Sequence, residues 1–181
     1  LAGYFGGWVD LLLSRFFELW AAIPSFFLIL TAAAFFPPSL FFVMVIIGFT
    51  SWVGIARLAR SQFLQVRSFD YVAAARSLGC TNGRIMFIHI LPNVIAPIIV
   101  MATITLGQAI LVEASLSFLG LGVVPPTPDW GLMISEGRAF ISIVPWISGV
   151  PGAALALLLI ALSIVGDGVR ERFDPKLRTN R

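Results

Sequence analysis

The chain has 181 residues, 59% of them apolar and only 12% charged, with a mean hydropathy of +0.97, whereas about a quarter of a soluble domain's residues are charged. That balance excludes an ordinary water-soluble enzyme and points to a polytopic membrane protein with one membrane domain. The net charge of +3 informs topology more than partner choice, because basic residues gather on the cytoplasmic side of a membrane, and nucleic acid is not an expected partner. One cysteine, Cys80, excludes an intrachain disulfide, and one histidine, His89, leaves too few ligands for an ordinary zinc site.

In chain order, residues 1–7 (LAGYFGG) read as the end of an apolar segment running into a glycine turn. With no initiator methionine, basic n-region or small-residue cleavage site, the expectation is a fragment whose N-terminal part is missing. Asp10 is placed to cap the next helix. The first predicted span covers residues 16–36. Arg15 and Glu18 lie three apart on one helical face, and residues 19–36 follow without a charge, about 27 Å of helix. Pro24 is expected to kink this span and Pro37-Pro38 to end it. The second predicted span, residues 39–57, returns antiparallel and is closed by Arg57 and Arg60. Across residues 57–84 stand Arg57, Arg60, Arg67, Arg76 and Arg84 against one acid, Asp70, so the loop over residues 58–90 is expected in the cytoplasm.

The third predicted span covers residues 91–114, with Pro97 near its start and Glu113 towards its far end. Residues 115–146 have lower hydropathy, hold the run PPTPDWG and carry Asp129, Glu136 and Arg138, a balance that suits the outer face. The fourth predicted span is residues 147–166. A basic tail follows, with Arg170, Arg172, Lys176, Arg178 and Arg181, and returns the C-terminus to the cytoplasm. The predicted fold class is therefore all-α, a polytopic transmembrane helical domain with four spans and both ends inside. Gly48, Gly54 and Gly107 are expected to permit close helix packing.

The stretch that interrupts this apolar chain is residues 69–93, FDYVAAARSLGCTNGRIMFIHILPN. Ala73, Ala74, Ala75 and Arg76 are good helix formers, and Gly79 follows as the residue best suited to a left-handed C-terminal cap. Thr81 or Asn82 can cap a second helix that passes Arg84 and His89 and reaches Leu91-Pro92. The pattern predicts a short helix, a tight turn and a return to the membrane. On pattern alone, a solvated helical loop fits as well as a docking element.

The same segment resembles the signature loop of binding-protein-dependent ABC transporter permeases, E-A-A, three residues, G, nine residues, I-x-L-P. The alanines fall on Ala74 and Ala75, the glycine on Gly79 and the Leu-Pro on Leu91 and Pro92, while Ala73 stands at the glutamate position and His89 at the isoleucine position. A second run, EASLSFLGLGVVPPTPDWG over residues 113–131, is similar to the C-type permease of dipeptide, oligopeptide and nickel importers. GYFGG near the start and GDGVRERFDPKLR at the end resemble that subfamily too.

The resemblance implies the type I ABC importer permease fold, of which this chain would hold the last four of six spans. It also implies a multi-pass protein of a bacterial or archaeal inner membrane. A second permease, two cytoplasmic ATPases, an extracytoplasmic binding protein and membrane lipid are the implied partners. The chain itself would bind no cofactor and catalyse nothing, ATP being used by the ATPase subunits; it carries no GxxxxGK[ST] phosphate loop. Docking of an ATPase is implied for Tyr71, Ala74, Ala75, Arg76, Leu78, Gly79, Leu91 and Pro92. The implied cargo is a di- or oligopeptide, with nickel as the alternative.

Glu113 is the one acid well inside an uncharged run, and intramembrane ionisable groups are functional candidates. It can line the pathway and attract a peptide amine or metal cation, or cap the segment that follows. His89 has no Cys, Asp or second His three or four residues away, so a histidine bonded to backbone is the simpler expectation. Asp129 and Trp130 can meet a binding protein or form a rigid interfacial turn. An ion-coupled secondary transporter would place ionisable groups or broken helices near the bilayer midplane, and these spans are nearly charge-free. An intramembrane protease would need a nucleophile with a base partner at depth, which the spans do not offer.

Overall fold

The computed structural model describes residues 1–36 and 39–173; the predicted Pro37-Pro38 turn and the tail residues Lys176, Arg178 and Arg181 lie outside the described residues. Among those described, the regular structure is helical throughout. A short α1 (Ala2–Phe5) leads into α2 (Gly7–Ala22) and α3 (Ser25–Phe35). The next helix, α4 (Leu40–Val66), is followed by α5 (Asp70–Ser77). A single turn, α6 (Asn82–Arg84), continues as a π-helix (Ile85–Ile90) into α7 (Leu91–Phe118). At the end of the PPTPDWG run α8 (Trp130–Gly137) begins, followed by a 3₁₀ turn and α9 (Trp146–Phe173).

Among the described residues, three helical stretches are long and apolar enough to cross a membrane: Leu40–Val66, Asn82–Phe118 and Trp146–Glu171. A fourth exists if the bent pair Gly7–Ala22 and Ser25–Ala32 is one span, and its two halves meet at 66°. That break is larger than the kink expected at Pro24. Proline removes a backbone donor and crowds the preceding turn, and here Pro24 takes extended ψ, 111°, so that helix stops and restarts instead of bending. α4, conversely, runs past the predicted end at residue 57, because Ala56 to Gln65 supply good helix formers with no breaker. Pro97 and Pro151 sit within α7 and α9 without ending them.

Two compact units are present, each with its own apolar cluster. The first comprises Leu1–Ala22, Trp52–Ala102 and the chain from Asp167. Tyr4, Val66, Val72, Ala75, Ile85, Ile90 and Val94 form its core. Within it, α2 is fastened to α4. Arg60 grips the Asp10 carboxylate with two donors, the second at 2.7 Å, and Arg57 Nη2 donates to the Phe17 carbonyl at 3.0 Å. Phe17 meets Trp52 edge-on at 5.6 Å between ring centres. Asp10 therefore does not cap α2 as expected; it lies inside the first turn and its carboxylate is spent on Arg60. Arg15 and Glu18 do pair, at 2.7 Å and in the open.

The second unit comprises Ile23–Ser51 and Thr103–Gly166, with Ile29, Val43, Ile46, Ile47 and Leu116 at its core. Large apolar side chains such as Leu157, Ile160 and Ile164 are exposed along α9, the arrangement expected of a helix whose solvent on that face is lipid. Of the glycines expected to allow close helix approach, Gly54 meets Met101 and Gly107 meets Leu159 at ordinary contact distance, while Gly48 faces open space.

Candidate functional site

The interrupting stretch folds as a helix, a left-handed turn and a second, capped helix. α5 carries Asp70 in its first turn and Arg76 in its last, each complementary to the helix dipole. Its C-terminus closes as a Schellman motif. The Cys80 N–H donates to the Ala75 carbonyl at 3.2 Å and the Gly79 N–H to the Arg76 carbonyl at 3.0 Å. Gly79 has φ +78°, a left-handed value that a side chain would strain. Thr81 then caps the next helix, its hydroxyl accepting from the Arg84 N–H at 3.4 Å. The turn is thus specified residue by residue, as its sequence led one to expect.

The site residues named from sequence divide into two faces. Tyr71, Ala74 and Leu78, spaced three and four apart, lie on one exposed side of the α5 segment, with Leu78 84% exposed. Gly79 is exposed beside them, and Phe69 adds another exposed ring. Burial raises the Tyr71 phenol above its ordinary pKa, against a hydrogen bond with Asn93 that lowers it, so the hydroxyl is neutral at physiological pH. Ala75 is instead buried with Val72 against the first apolar cluster, and so anchors the helix instead of presenting to a partner. Arg76 extends over the Tyr4 ring, its guanidinium carbon 5.9 Å from the centre. Leu91 packs half-buried on the same cluster, and Pro92 stands exposed where the π-helix passes into α7, its missing N–H removing one bond of the continuous helix there. The His89 Nε2 is buried with no hydrogen bond among the described residues, while its carbonyl accepts from Asn93 Nδ2 at 2.6 Å.

Glu113 lies in a separate setting in the second unit. With Ile110, Ala114, Pro128, Asp129, Trp130, Met133 and Leu155 it lines a cavity of about 330 Å³. Ser117 Oγ donates to Glu113 Oε1 at 2.9 Å, which leaves the Ser117 oxygen free to accept from the Val123 N–H at 3.3 Å. The glutamate therefore orients a fully buried hydroxyl that holds the turn after α7. Asp129 caps α8 through the Leu132 N–H at 2.8 Å, and α8 approaches α7 so closely that a Cβ on Gly131 would collide with the Ala114 carbonyl. Asp129 is legible as a cap from its position ahead of a helical run. Ser117 carries no comparable signal, since nothing local distinguishes it from Ser115. Among the described residues, no group of three or more His, Cys, Asp or Glu side chains is placed to hold a metal ion.

Residues 1–179 match the family model described as the binding-protein-dependent transport system inner membrane component. The chain is 42% identical over 179 residues to the dipeptide transport system permease protein DppC of Alkalihalophilus pseudofirmus, covering 99% of this chain and 59% of that protein. It is 36% identical over 178 residues to the oligopeptide transport system permease protein OppC of Bacillus subtilis, covering 98% and 58%. Against the glutathione transport system permease protein GsiD of Pectobacterium atrosepticum the identity is 37% over 179 residues, covering 99% and 60%. The chain thus spans about three fifths of the length of these relatives.

Proposed function

The chain belongs to the family of binding-protein-dependent transport system inner membrane components, and from that premise we propose that it is the permease subunit of an ATP-driven importer of di- or oligopeptides. A second permease completes the pathway, two cytoplasmic ATPases drive it, and an extracytoplasmic binding protein delivers the cargo. The membrane is a bacterial or archaeal inner membrane, with the C-terminus and the loop over residues 58–90 on the cytoplasmic side. The chain itself binds no cofactor. The peptide reading rests on the relatives, whose names specify dipeptide, oligopeptide and glutathione transport.

The observation that carries the mechanism is the closed turn at Gly79. The exposed face of Tyr71, Ala74 and Leu78 offers an ATPase a small, partly apolar ledge, with Arg76 and Gly79 at its border. Since Ala73 replaces a glutamate at the head of the signature, shape and the Arg76 charge carry the contact instead of an ion pair at that position. The Schellman closure and the Thr81 cap hold the ledge rigidly ahead of Leu91 and Pro92. When the ATPases close on ATP, the docked ledge moves and swings the paired permeases from inward-open to outward-open; hydrolysis resets them. Glu113, in its cavity with Trp130 and Met133, lines the pathway and attracts the cationic amine of a peptide.

Reconstitution of the full-length protein with its partner permease, ATPases and binding protein in proteoliposomes tests this reading. ATP-dependent accumulation of a labelled dipeptide is the expected result. Uptake driven by an ion gradient without ATP would overturn it in favour of a secondary transporter, and ATP-dependent uptake of nickel but of no peptide would overturn the cargo.

A further inference from the structure

An eight-residue helix is marginal in isolation, so the orientation of α5 depends on what grips it. Only Val72 and Ala75 of α5 are buried, which leaves the helix resting on one short apolar strip. The missing constraint comes from the far end of the sequence. Tyr4, 4% exposed, belongs to the same cluster as Val72 and Ala75. Its hydroxyl donates to Asn82 Oδ1 at 2.8 Å, across 78 positions of sequence. The Arg76 guanidinium lies over its ring at 5.9 Å, and its carbonyl accepts from Arg67 Nη1 at 3.3 Å. One residue therefore touches Arg67 just after α4, the last turn of α5 and the first residue of α6. Its own position is determined by Gly3, where a Cβ would strike the Arg60 carbonyl and the Phe63 side chain of α4.

The geometry points to Tyr4 as the positioning residue of the coupling element: it clamps α5 and the Gly79 turn to α4, so that displacement of α5 reaches α7 instead of being lost as rotation about the turn. Resting on the proposed transport function, the inference assigns a task to the GYFGG segment, which lies outside the docking face. The apolar ring supplies burial, the face of the ring supplies a cation–π contact of the weakly stabilising kind, and the hydroxyl supplies the one directional bond. Removing the hydroxyl alone leaves the other two in place.

Tyr4→Phe in the complete reconstituted transporter separates this role from a merely structural one. The expected result is ATP hydrolysis near the wild-type rate with peptide transported per ATP reduced about two- to tenfold, the span of one hydrogen bond. Asn82→Ala should give the same shift, and the double variant no further loss, because both changes delete the same bond. An independent readout is the Cys80 thiol, half-buried against the same cluster, whose alkylation by a maleimide should quicken in both variants. Wild-type coupling with unchanged Cys80 labelling in Tyr4→Phe and Asn82→Ala would overturn the clamp, as would equal loss of hydrolysis and transport. If the wild-type assembly shows no ATP-driven uptake, the transport reading fails, and faster Cys80 labelling in the variants would support, or unchanged labelling overturn, the hold of Tyr4 on the turn.

Discussion

At Gly79 the backbone conformation and the proposed task meet in one residue. Its φ of +78° costs a side-chain-bearing residue about 1–2 kcal/mol, and a β-branched one more. Gly79→Val is expected to leave membrane insertion intact while lowering peptide uptake relative to ATP hydrolysis about tenfold; parallel uptake and ATPase assays check it. Glu113 poses a different question, since its Oε1 already serves Ser117. Glutamine keeps the shape and that acceptor but removes the charge. If the carboxylate meets a peptide amine, Glu113→Gln raises the KM for uptake about tenfold, the low end of a charged hydrogen bond's contribution. Unchanged KM would leave Glu113 as a structural acceptor only.

Among the elements, α2 and α5 illustrate how little a helix's own sequence says about where it is held. The second half of α2 reads as the start of an apolar span, yet the helix is fastened by the grip of Arg60 on Asp10, 50 positions away. Both side chains are partly sheltered, so loss of one partner strands the other. Asp10→Asn is expected to destabilise the protein by about 1–3 kcal/mol, seen as a lower thermal midpoint in detergent. A double-mutant cycle with Arg60→Gln should return a coupling of about 1–2 kcal/mol, and additivity would show that the pair is idle. The α5 turn was legible because a glycine cap and a threonine cap each act within a few residues. Its anchorage was not: nothing within residues 69–93 predicts Tyr4. Ala74 and Ala75 look equivalent in sequence, yet one is exposed and the other buried, because only the packing of Val72, Ala75 and Ile85 decides which side of the helix faces the cluster.

The scale of the molecule is set by lipid. Its helical stretches of 27, 37 and 26 residues all exceed the roughly 20 needed to cross the hydrocarbon, so each extends beyond it or tilts. The arginine excess over residues 57–84 then predicts sidedness. A membrane-impermeant maleimide should label Cys80 in inside-out vesicles and not in intact spheroplasts of cells expressing the full-length protein. Labelling from outside would invert the topology and with it the assignment of the ATPase-facing side.

Much of this architecture needed only the sequence. Low charge, long apolar runs and clustered arginines determine a polytopic helical protein, because a backbone in hydrocarbon must satisfy its own hydrogen bonds and helices do so locally. The signature spacing from Ala74 to Pro92 placed the candidate docking element, and Gly79 within it, for the same local reason. Tertiary structure decided what depends on partners distant in sequence: the spending of Asp10 on Arg60 and the contacts of Tyr4 with Asn82 and Arg76. Each of these is a directional contact between segments whose separation along the chain hides it, and only the folded chain brings its two ends within reach.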